Sequence, residues 1–209
     1  MKVLVACEFS GMVREAFRKK GHNAWSCDIL PTEIPGQHYQ CDIFEVINME
    51  WDLMISHPPC TYLSNAGIGW FNEEKYGQKA IDRKVSRIKA FDFVMEISNS
   101  NIKKICIENP TGWLNSHWRK PDQIIQPYFF GDTESKRTCL WLKNLPLLKY
   151  TNVVKPKIYG YYKTGKKIGT PIYGNSYLKF SEDRGRIRSI TFQGIANAMA
   201  NQWGQNEKI

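Results

Sequence analysis

The chain has 209 residues, enough for about one domain, and its 42% hydrophobic residues can supply a buried core. Charged residues make up 23%, which excludes an intrinsically disordered chain, and no apolar run approaches the roughly 20 residues of a membrane span. The net charge of +9 is uneven: residues 1–110 have a net charge of −1 and residues 111–209 have +10. A basic half indicates a polyanionic partner such as nucleic acid, although a basic face can also serve solubility alone.

Short apolar runs alternate with helical patterns through the first half of the chain. The first apolar run stops at Glu8 with no small-residue cleavage site, so we expect a buried strand of a cytosolic protein and not a signal peptide. The patterns predict strands at 2–7, 23–29, 40–44, 51–57, 103–109 and 137–145. They predict helices at 11–20, 73–99 and 189–203, the second with an apolar face of Ile81, Val85, Ile88, Phe91 and Met95. This alternation indicates an α/β fold with a mostly parallel, doubly wound sheet, which binds ligands at the carboxyl ends of its strands.

The spacing of the six cysteines argues against a metal site. No two of them form a Cys-x-x-Cys pair, and the four histidines do not cluster with them. A chain of this size with a good core also has no need of disulfides. We therefore expect no metal and reduced, mostly buried thiols, with Cys60 as the exception.

Two neighbouring predicted strands end in residues that can carry chemistry. In SHPPCTYLS (56–64), two prolines stiffen the chain and hold Cys60 at the sheet edge, where a partly exposed thiol can be a nucleophile. In ENP (108–110), Glu108 follows an apolar strand, and partial desolvation there is expected to raise its pKa and make it a proton donor. Taken singly, each motif is also compatible with a structural turn. Taken together, they predict a thiolate and a carboxylic acid facing one pocket.

Six sequence blocks resemble, in order, those of the DNA cytosine-5 methyltransferases, in the small divergent form found in bacteriophages. The blocks are ACEFSG (6–11), CDI (27–29), CDIFEV (41–46), HPPC (57–60), ENP (108–110) and TFQGIANAMANQW (191–203). The resemblance implies a Rossmann-like, S-adenosylmethionine-dependent methyltransferase fold that acts on DNA. It also implies a setting in the cytoplasm of a bacterial or phage-infected cell.

The resemblance implies a role for each matching residue. The Cys60 thiolate adds to carbon 6 of cytosine, Glu108 assists at ring nitrogen 3, Pro59 fixes the loop, and Asn109 completes the catalytic block. Phe9 packs on the adenine of S-adenosylmethionine, Asp28 accepts the ribose hydroxyls, and Asp42 accepts the adenine amino group. The full set implied for the cofactor is Phe9, Ser10, Gly11, Asp28, Asp42, Ile43, Pro58 and Gln193.

The chain departs from the family most clearly where the family reads its target. Residues 1–146 and a closing helix at 189–204 would form one methyltransferase domain, with only a short insertion at 147–188. Within it, residues 155–188 carry nine Lys and Arg and two acids, interleaved with Tyr159, Tyr161, Tyr162, Tyr173, Tyr177 and Phe180. Cations and flat rings suit nucleic acid, and so short a region predicts short or relaxed sequence specificity. The residues expected to contact DNA are Lys136, Arg137, Lys163, Lys166, Lys167, Arg184, Arg186 and Arg188.

Three other functions stay open from the sequence. The chain could methylate an exocyclic amino group, although His57 and Cys60 around the Pro-Pro pair do not match the motif of those enzymes. The same scaffold could transfer a different group or act on nucleotides. It could also be an inactive methyltransferase-like module that binds DNA. Departures in the cofactor loop, where Glu8 stands in for the usual leading acid, favour the inactive module, and retention of Cys60 and Glu108 argues against it.

Overall fold

A seven-stranded sheet forms the centre of the described part of the chain. The computed structural model describes residues 1–174 and 184–205, without the side chains of residues 166 and 184. The strands are β1 (Lys2–Ala6), β2 (Asn23–Asp28), β3 (His38–Gln40), β4 (Leu53–Ser56), β5 (Lys104–Pro110), β6 (Gln123–Ile125) and β7 (Thr138–Lys143). Their order is β3-β2-β1-β4-β5-β7-β6, and β7 runs antiparallel to both of its neighbours while the other pairs are parallel.

Helices cover both faces of this sheet. They are α1 (Met12–Arg18), α2 (Glu73–Tyr76), α3 (Gln78–Ser98), α4 (Trp113–His117), α5 (Arg184–Ser189) and α6 (Gln193–Trp203). One apolar core joins α1 and α6 to Val3, Val5 and Ile55 of the sheet. The other joins the end of α3 to Leu4 and Met54, which point to the opposite face. The alternation of buried residues along β1 and β4 therefore builds the two layers of a Rossmann-like α/β fold, as the sequence predicted.

A short antiparallel hairpin lies outside the sheet, in the basic segment. It consists of β8 (Ile158–Tyr161) and β9 (Pro171–Tyr173). Gly174 packs so closely against the backbone at Ser135 that a Cβ there would lie 2.1 Å from its carbonyl oxygen. The backbone N–H of Lys157 donates to the carbonyl of Thr133. These contacts hold the base of the hairpin against the segment that leads into β7.

The strand predicted at 40–44 is wrong in its position. β3 ends at Gln40, and residues 43–45 form a 3₁₀ turn. The Asp42 carboxylate accepts the backbone N–H of Phe44 at 3.0 Å, and Glu45 accepts the N–H of Asp42, so the pair forms a capping box. This local capping bends the chain away from the sheet before the apolar residues that suggested a strand.

The long predicted helix is divided, and three of the five residues of its predicted apolar face are exposed instead of buried. Gly77, at φ +51°, separates α2 from α3. Ile81, Val85 and Ile88 are exposed by 42%, 52% and 51%, whereas only Phe91 and Met95 of the predicted face pack against the core. The buried positions of α3 are instead Ala80, Arg87, Val94 and Ile97. Arg87 is tolerated there because its guanidinium lies over the rings of Phe71 and Trp113 and its Nε donates to a backbone carbonyl.

Within the described residues, none of the helices combines the length and the apolar character needed to cross a bilayer. Among the same residues, no cluster of three or more His, Cys, Asp or Glu side chains is arranged to hold a metal ion.

Candidate active site

The carboxyl ends of the parallel strands bring the predicted chemical residues to one edge of the sheet. Ala6 of β1 pairs with Cys27 of β2 on one side and Ser56 of β4 on the other, and Ser56 pairs with Ile107 of β5. The residues that follow these positions therefore lie side by side along the carboxyl edge of the sheet. They are Cys7–Gly11 after β1, Asp28 at the end of β2, His57–Cys60 after β4, and Glu108 and Asn109 within β5.

The Pro-Pro loop is fastened to the strands on both sides of β4. The backbone N–H of His57 donates to Ala6 at 2.9 Å, and the Asn109 side chain donates to the carbonyl of Pro58 at 2.9 Å. The carbonyl of Cys60 accepts the backbone N–H groups of Leu63 and Ser64. Pro58 is buried, whereas Pro59 and Cys60 are exposed. The thiol is thus presented on a loop whose backbone is held at several points.

Glu108 is a buried carboxyl with two cations beside it. Its Oε2 lies 2.7 Å from Nδ1 of His57, and its Oε1 lies 3.9 Å from Nζ of Lys136. Burial by itself would raise the pKa of Glu108, but His57 and then Lys136 lower it, to about 2. The prediction that the pKa of Glu108 is raised is therefore wrong, although the desolvation on which it rested does act in that direction. It considered the strand that carries Glu108 and not the cations that other elements bring to it.

The Cys60 thiol keeps its proton at neutral pH in this arrangement. Desolvation of the sulfur raises its pKa above the usual value for cysteine, and the negative charge of Glu108 adds to this. Lys136 and Arg188 act in the opposite direction. The nucleophile therefore needs a base that removes its proton, and two cations are in place to stabilise the thiolate that results.

Lys136 lies inside the site and not on an open surface. We expected it to contact DNA, but only 19% of its side chain is exposed, and it faces Glu108 and Cys60. Arg188, from the short helix α5, is exposed and also acts on Cys60. The described residues therefore bring Cys60, Glu108, His57, Lys136 and Arg188 into one electrostatic group.

The loop after β1 is organised by a buried acid. Glu8 is 4% exposed, and its two oxygens accept the backbone N–H groups of Val13 and Arg14 at 2.6 and 3.2 Å. Ser10 donates to the same carboxylate, and Gly11 adopts a left-handed conformation with φ +75° just before α1. Burial raises the pKa of Glu8, and His57 lowers it in part. Phe9 is half-buried, and its carbonyl accepts the N–H of Glu33 from the segment between β2 and β3.

Two further acids lie beside this loop. Burial raises the pKa of Cys7 to about 12, and the charges of Asp28 and Asp42, which lie at or just after the carboxyl ends of β2 and β3, add to that shift. Asp28 is half-buried, burial raises its pKa, and it accepts the N–H of Leu30 at 2.9 Å. Asp42 is exposed. Cys7 itself has a positive φ of 58°, a strained value for a residue other than glycine.

The remaining residues predicted for the cofactor lie in less direct positions. The Ile43 side chain is buried in the core and is therefore not exposed to a ligand at the sheet edge. Gln193 is exposed at the first turn of α6, where it donates to Asn197 of the same helix. The structure gives neither side chain a described contact with the loop after β1.

The predicted DNA-contacting residues are distributed over several elements. Arg137 is exposed just before β7, and Lys163 and Lys167 are exposed between β8 and β9. Arg186 of α5 forms an ion pair with Glu33. The side chains of Lys166 and Arg184 lie outside the described residues, as do Tyr177 and Phe180.

Sequence reasoning missed two buried groups that shape the site. The sequence pattern shows His57 only as the residue before the two prolines. Its pairing with Glu108 joins positions 51 residues apart, so no local pattern reveals it. Arg14 is fully buried and donates to Ser26, Thr32 and the carbonyl of Ile34, which holds residues 32–37 beside the loop after β1. One sequence feature could have indicated that Arg14 is buried: it lies among the apolar residues of α1.

Comparison with known proteins finds matches among solved structures. No protein-family model matches the chain, and no curated protein matches it. One solved structure similar to it is that of a protein from E. coli described as a DNA modification methyltransferase encoded within a prophage, at 14% identity and a TM-score of 0.46. The match covers 74% of this chain and 52% of the other, so the chain spans about half the length of that protein.

Proposed function

We propose that this protein is an S-adenosylmethionine-dependent DNA methyltransferase that modifies carbon 5 of cytosine through a covalent bond from Cys60. The observation that carries the proposal is the grouping of an exposed thiol, a buried carboxylate and a lysine at the same sheet edge as the loop after β1. Such a group can add a nucleophile to a ring and exchange a proton with it.

The loop after β1 suits a nucleoside cofactor that has no phosphates. In dinucleotide-binding folds the free N–H groups at the helix N-terminus bind a pyrophosphate. Here the carboxylate of Glu8 already accepts two of these N–H groups at the start of α1. Asp28 and Asp42 remain beside the loop as acceptors for ribose hydroxyls and an adenine amino group. Gly11 leaves no room for a larger residue in this loop, because a Cβ there would lie 2.7 Å from the Arg14 guanidinium. These features fit S-adenosylmethionine, which when bound supplies the methyl group on a sulfonium.

The protonation states of Cys60 and Glu108 balance the first chemical step. In the free protein Glu108 is ionised and Cys60 carries its proton. Transfer of the thiol proton to Glu108 gives a thiolate and a carboxylic acid, but it is strongly uphill in the free protein, because the pKa of Glu108 is about 2 and that of Cys60 lies above its usual value. The step therefore requires that a bound cytosine displace water from the carboxyl and raise its pKa. The thiolate then forms a bond to carbon 6, and Glu108 donates the proton at ring nitrogen 3. Carbon 5 becomes nucleophilic enough to accept a methyl group. Loss of the carbon 5 proton to a base then expels Cys60 as the thiolate, and the proton on ring nitrogen 3 returns through Glu108 to that thiolate.

The basic residues after β7 suit the polyanionic substrate. Lys163 and Lys167 are exposed between β8 and β9, and the base of this hairpin is held beside the segment that carries Lys136. A cytosine within a duplex has to leave the base stack before it reaches Cys60, at a cost of a few kcal/mol. We propose that residues 147–188 contact the strand around the displaced base, with short or relaxed sequence specificity.

The test is nucleoside mass spectrometry of DNA from a host that lacks its own cytosine methylation. The wild type is expected to produce 5-methylcytosine, separated by retention time from N4-methylcytosine, which has the same mass. Cys60→Ala is expected to produce none, and Thr61→Ala, a neighbour in the same loop, should retain the product. DNA containing 5-fluorocytosine should remain covalently attached to the wild type and not to Cys60→Ala, because fluorine cannot leave as a proton does.

Other outcomes would reassign the function. A methylated exocyclic amino group that survives in Cys60→Ala would indicate an amino-methyltransferase. A different added mass would change the transferred group. Specific DNA binding with no modified base, unchanged in Cys60→Ala, would indicate an inactive module.

A further inference from the structure

The buried partner of Glu108 is a histidine that the proposed reaction does not otherwise use. His57 follows β4 and immediately precedes the Pro-Pro-Cys loop, and its Nδ1 lies 2.7 Å from Oε2 of Glu108. Only 11% of the His57 side chain and 10% of the Glu108 side chain are exposed. We propose that His57 is a positioning residue, which holds Oε2 of Glu108 so that Oε1 is the oxygen presented to Cys60 and the base. This inference rests on the proposed function.

The contacts of the carboxylate leave only one oxygen for chemistry. Oε2 is occupied by His57, whereas the neighbour of Oε1 is Nζ of Lys136 at 3.9 Å, beyond hydrogen-bonding distance. Oε1 therefore lies on the side of the carboxyl that faces Lys136, and Lys136 also acts on Cys60. Without the bond to His57, the carboxyl could rotate and the position of Oε1 would no longer be fixed.

The backbone of His57 is as well fixed as its side chain. Its N–H donates to Ala6 of β1, and the next residue, Pro58, accepts the side chain of Asn109 from β5. The imidazole is thus held between β1 and β5 in a loop that leads directly to Cys60. A single residue links the position of the nucleophile to the position of the carboxylate.

Charged groups from three neighbouring segments determine the charge of His57. They are Glu8 from the loop after β1, Glu108 from β5, and Lys136 from the segment before β7. Burial and Lys136 disfavour the imidazolium, but the two carboxylates outweigh them and raise the pKa of His57. Its Nε2 is buried without a hydrogen-bond partner among the described residues. The two carboxylates therefore favour the imidazolium form of His57, and its charge in turn favours the ionised form of Glu108.

Two substitutions separate the hydrogen bond of His57 from its charge. His57→Asn places a neutral N–H donor near the position of Nδ1, whereas His57→Gln places its amide near the position of Nε2. We expect His57→Gln to lower kcat by about 10²-fold with KM for DNA within about threefold, because the carboxyl is no longer oriented. His57→Asn should recover at least about tenfold of that loss.

The pH profile provides a readout that a purely structural role would not change. Wild-type kcat should fall as the pH rises through the raised pKa of His57, because the imidazolium loses its charge. The His57→Asn profile should lack that limb, since asparagine does not titrate. Thermal unfolding of both variants checks that they fold. Wild-type kcat in His57→Gln, or an unchanged pH profile in His57→Asn, would overturn the proposal.

Failure of the proposed function can be told apart from failure of this inference. If the wild type modifies no base, the function fails, and the pairing is then judged by the titration of the His57 imidazole followed by nuclear magnetic resonance. In Glu108→Gln the titration midpoint of His57 should move to lower pH, because a neutral amide replaces the carboxylate. An unchanged midpoint would show that His57 does not respond to Glu108 and would sink the inference as well.

Discussion

At the scale of single residues, the site is organised around one carboxylate that the chain keeps charged in a buried place. Glu108 lies within β5, where desolvation opposes ionisation, but His57 and Lys136 compensate for the lost solvation. Removing one member of such a group leaves another buried charge unpaired, which costs more than the intact pair contributes. We expect the group to influence stability as well as chemistry.

The pairing predicts how stability depends on pH. The pKa of Glu108 is lowered from 4.5 to about 2, so its contribution is present above pH 4.5 and is lost as the pH falls toward 2. The pKa of His57 is raised from 6.5, so its contribution is present below pH 6.5 and is lost as the pH rises through the raised value. The difference in free energy of unfolding between wild type and Glu108→Gln should therefore be largest between pH 4.5 and 6.5, on the order of 3 kcal/mol.

Urea denaturation at pH 3, 5.5 and 8.5 measures this difference. Glu73→Gln is a matched control, because Glu73 pairs with Lys84 at the surface, where both side chains are about half exposed. Its difference from wild type should be below about 1 kcal/mol at pH 5.5. A Glu108→Gln difference that is the same at all three pH values would show that the buried pair does not titrate as described.

At the scale of elements, α6 fastens the segment before β7 to the core. α6 packs beside α1 through Ile195, Met199 and Trp203. At its start, the backbone N–H of Gly194 donates to Asp132 at 2.9 Å. Asp132 lies four residues before Lys136, so the position of α6 affects the position of a residue in the candidate active site.

The close approach at Gly194 makes it the sensitive position of this contact. A Cβ there would lie 2.1 Å from the carbonyl oxygen of Phe130 and 2.7 Å from the Asp132 carboxylate. Gly194→Ala should therefore destabilise the protein by about 1–3 kcal/mol, because backbone has to move. Gly185→Ala is the matched control: a Cβ at this position of α5 would meet no atom within 4 Å, so the substitution should be neutral or slightly stabilising. Thermal unfolding of the two variants provides the comparison, and equal effects would contradict the packing argument.

At the scale of the whole molecule, part of the basic second half of the chain lies beside the candidate active site. The segment 132–136 joins the basic hairpin to the carboxylate of Glu108, and Tyr159 of β8 donates to Glu134. On the other side, the ion pair of Arg186 with Glu33 joins α5 to the segment between β2 and β3. The basic hairpin and α5 are therefore both attached to segments that border the carboxyl edge of the sheet.

Salt dependence of DNA binding tests this arrangement. Lys163→Glu/Lys167→Glu should weaken binding of a short duplex and reduce the slope of log Kd against log salt by about 2, because two phosphate contacts are lost. Lys19→Glu/Lys20→Glu makes the same change of charge at the opposite end of α1, where both residues are exposed. Fluorescence anisotropy at several salt concentrations measures both. If the two pairs change the slope equally, binding depends on net charge and not on the hairpin.

The sequence by itself determined most strands of the sheet, because their buried apolar runs follow local periodicity, and it determined which residues lie at the carboxyl edge, because parallel strands end together. That argument put the Cys60 loop and Glu108 on neighbouring strands, as β4 and β5 are. Only the tertiary structure decided the charge of Glu108, the buried position of Lys136 and the buried face of α3. Each depends on groups distant in the chain, such as His57, 51 residues from Glu108, and burial and electrostatic fields arise from neighbours in space and not from neighbours in sequence.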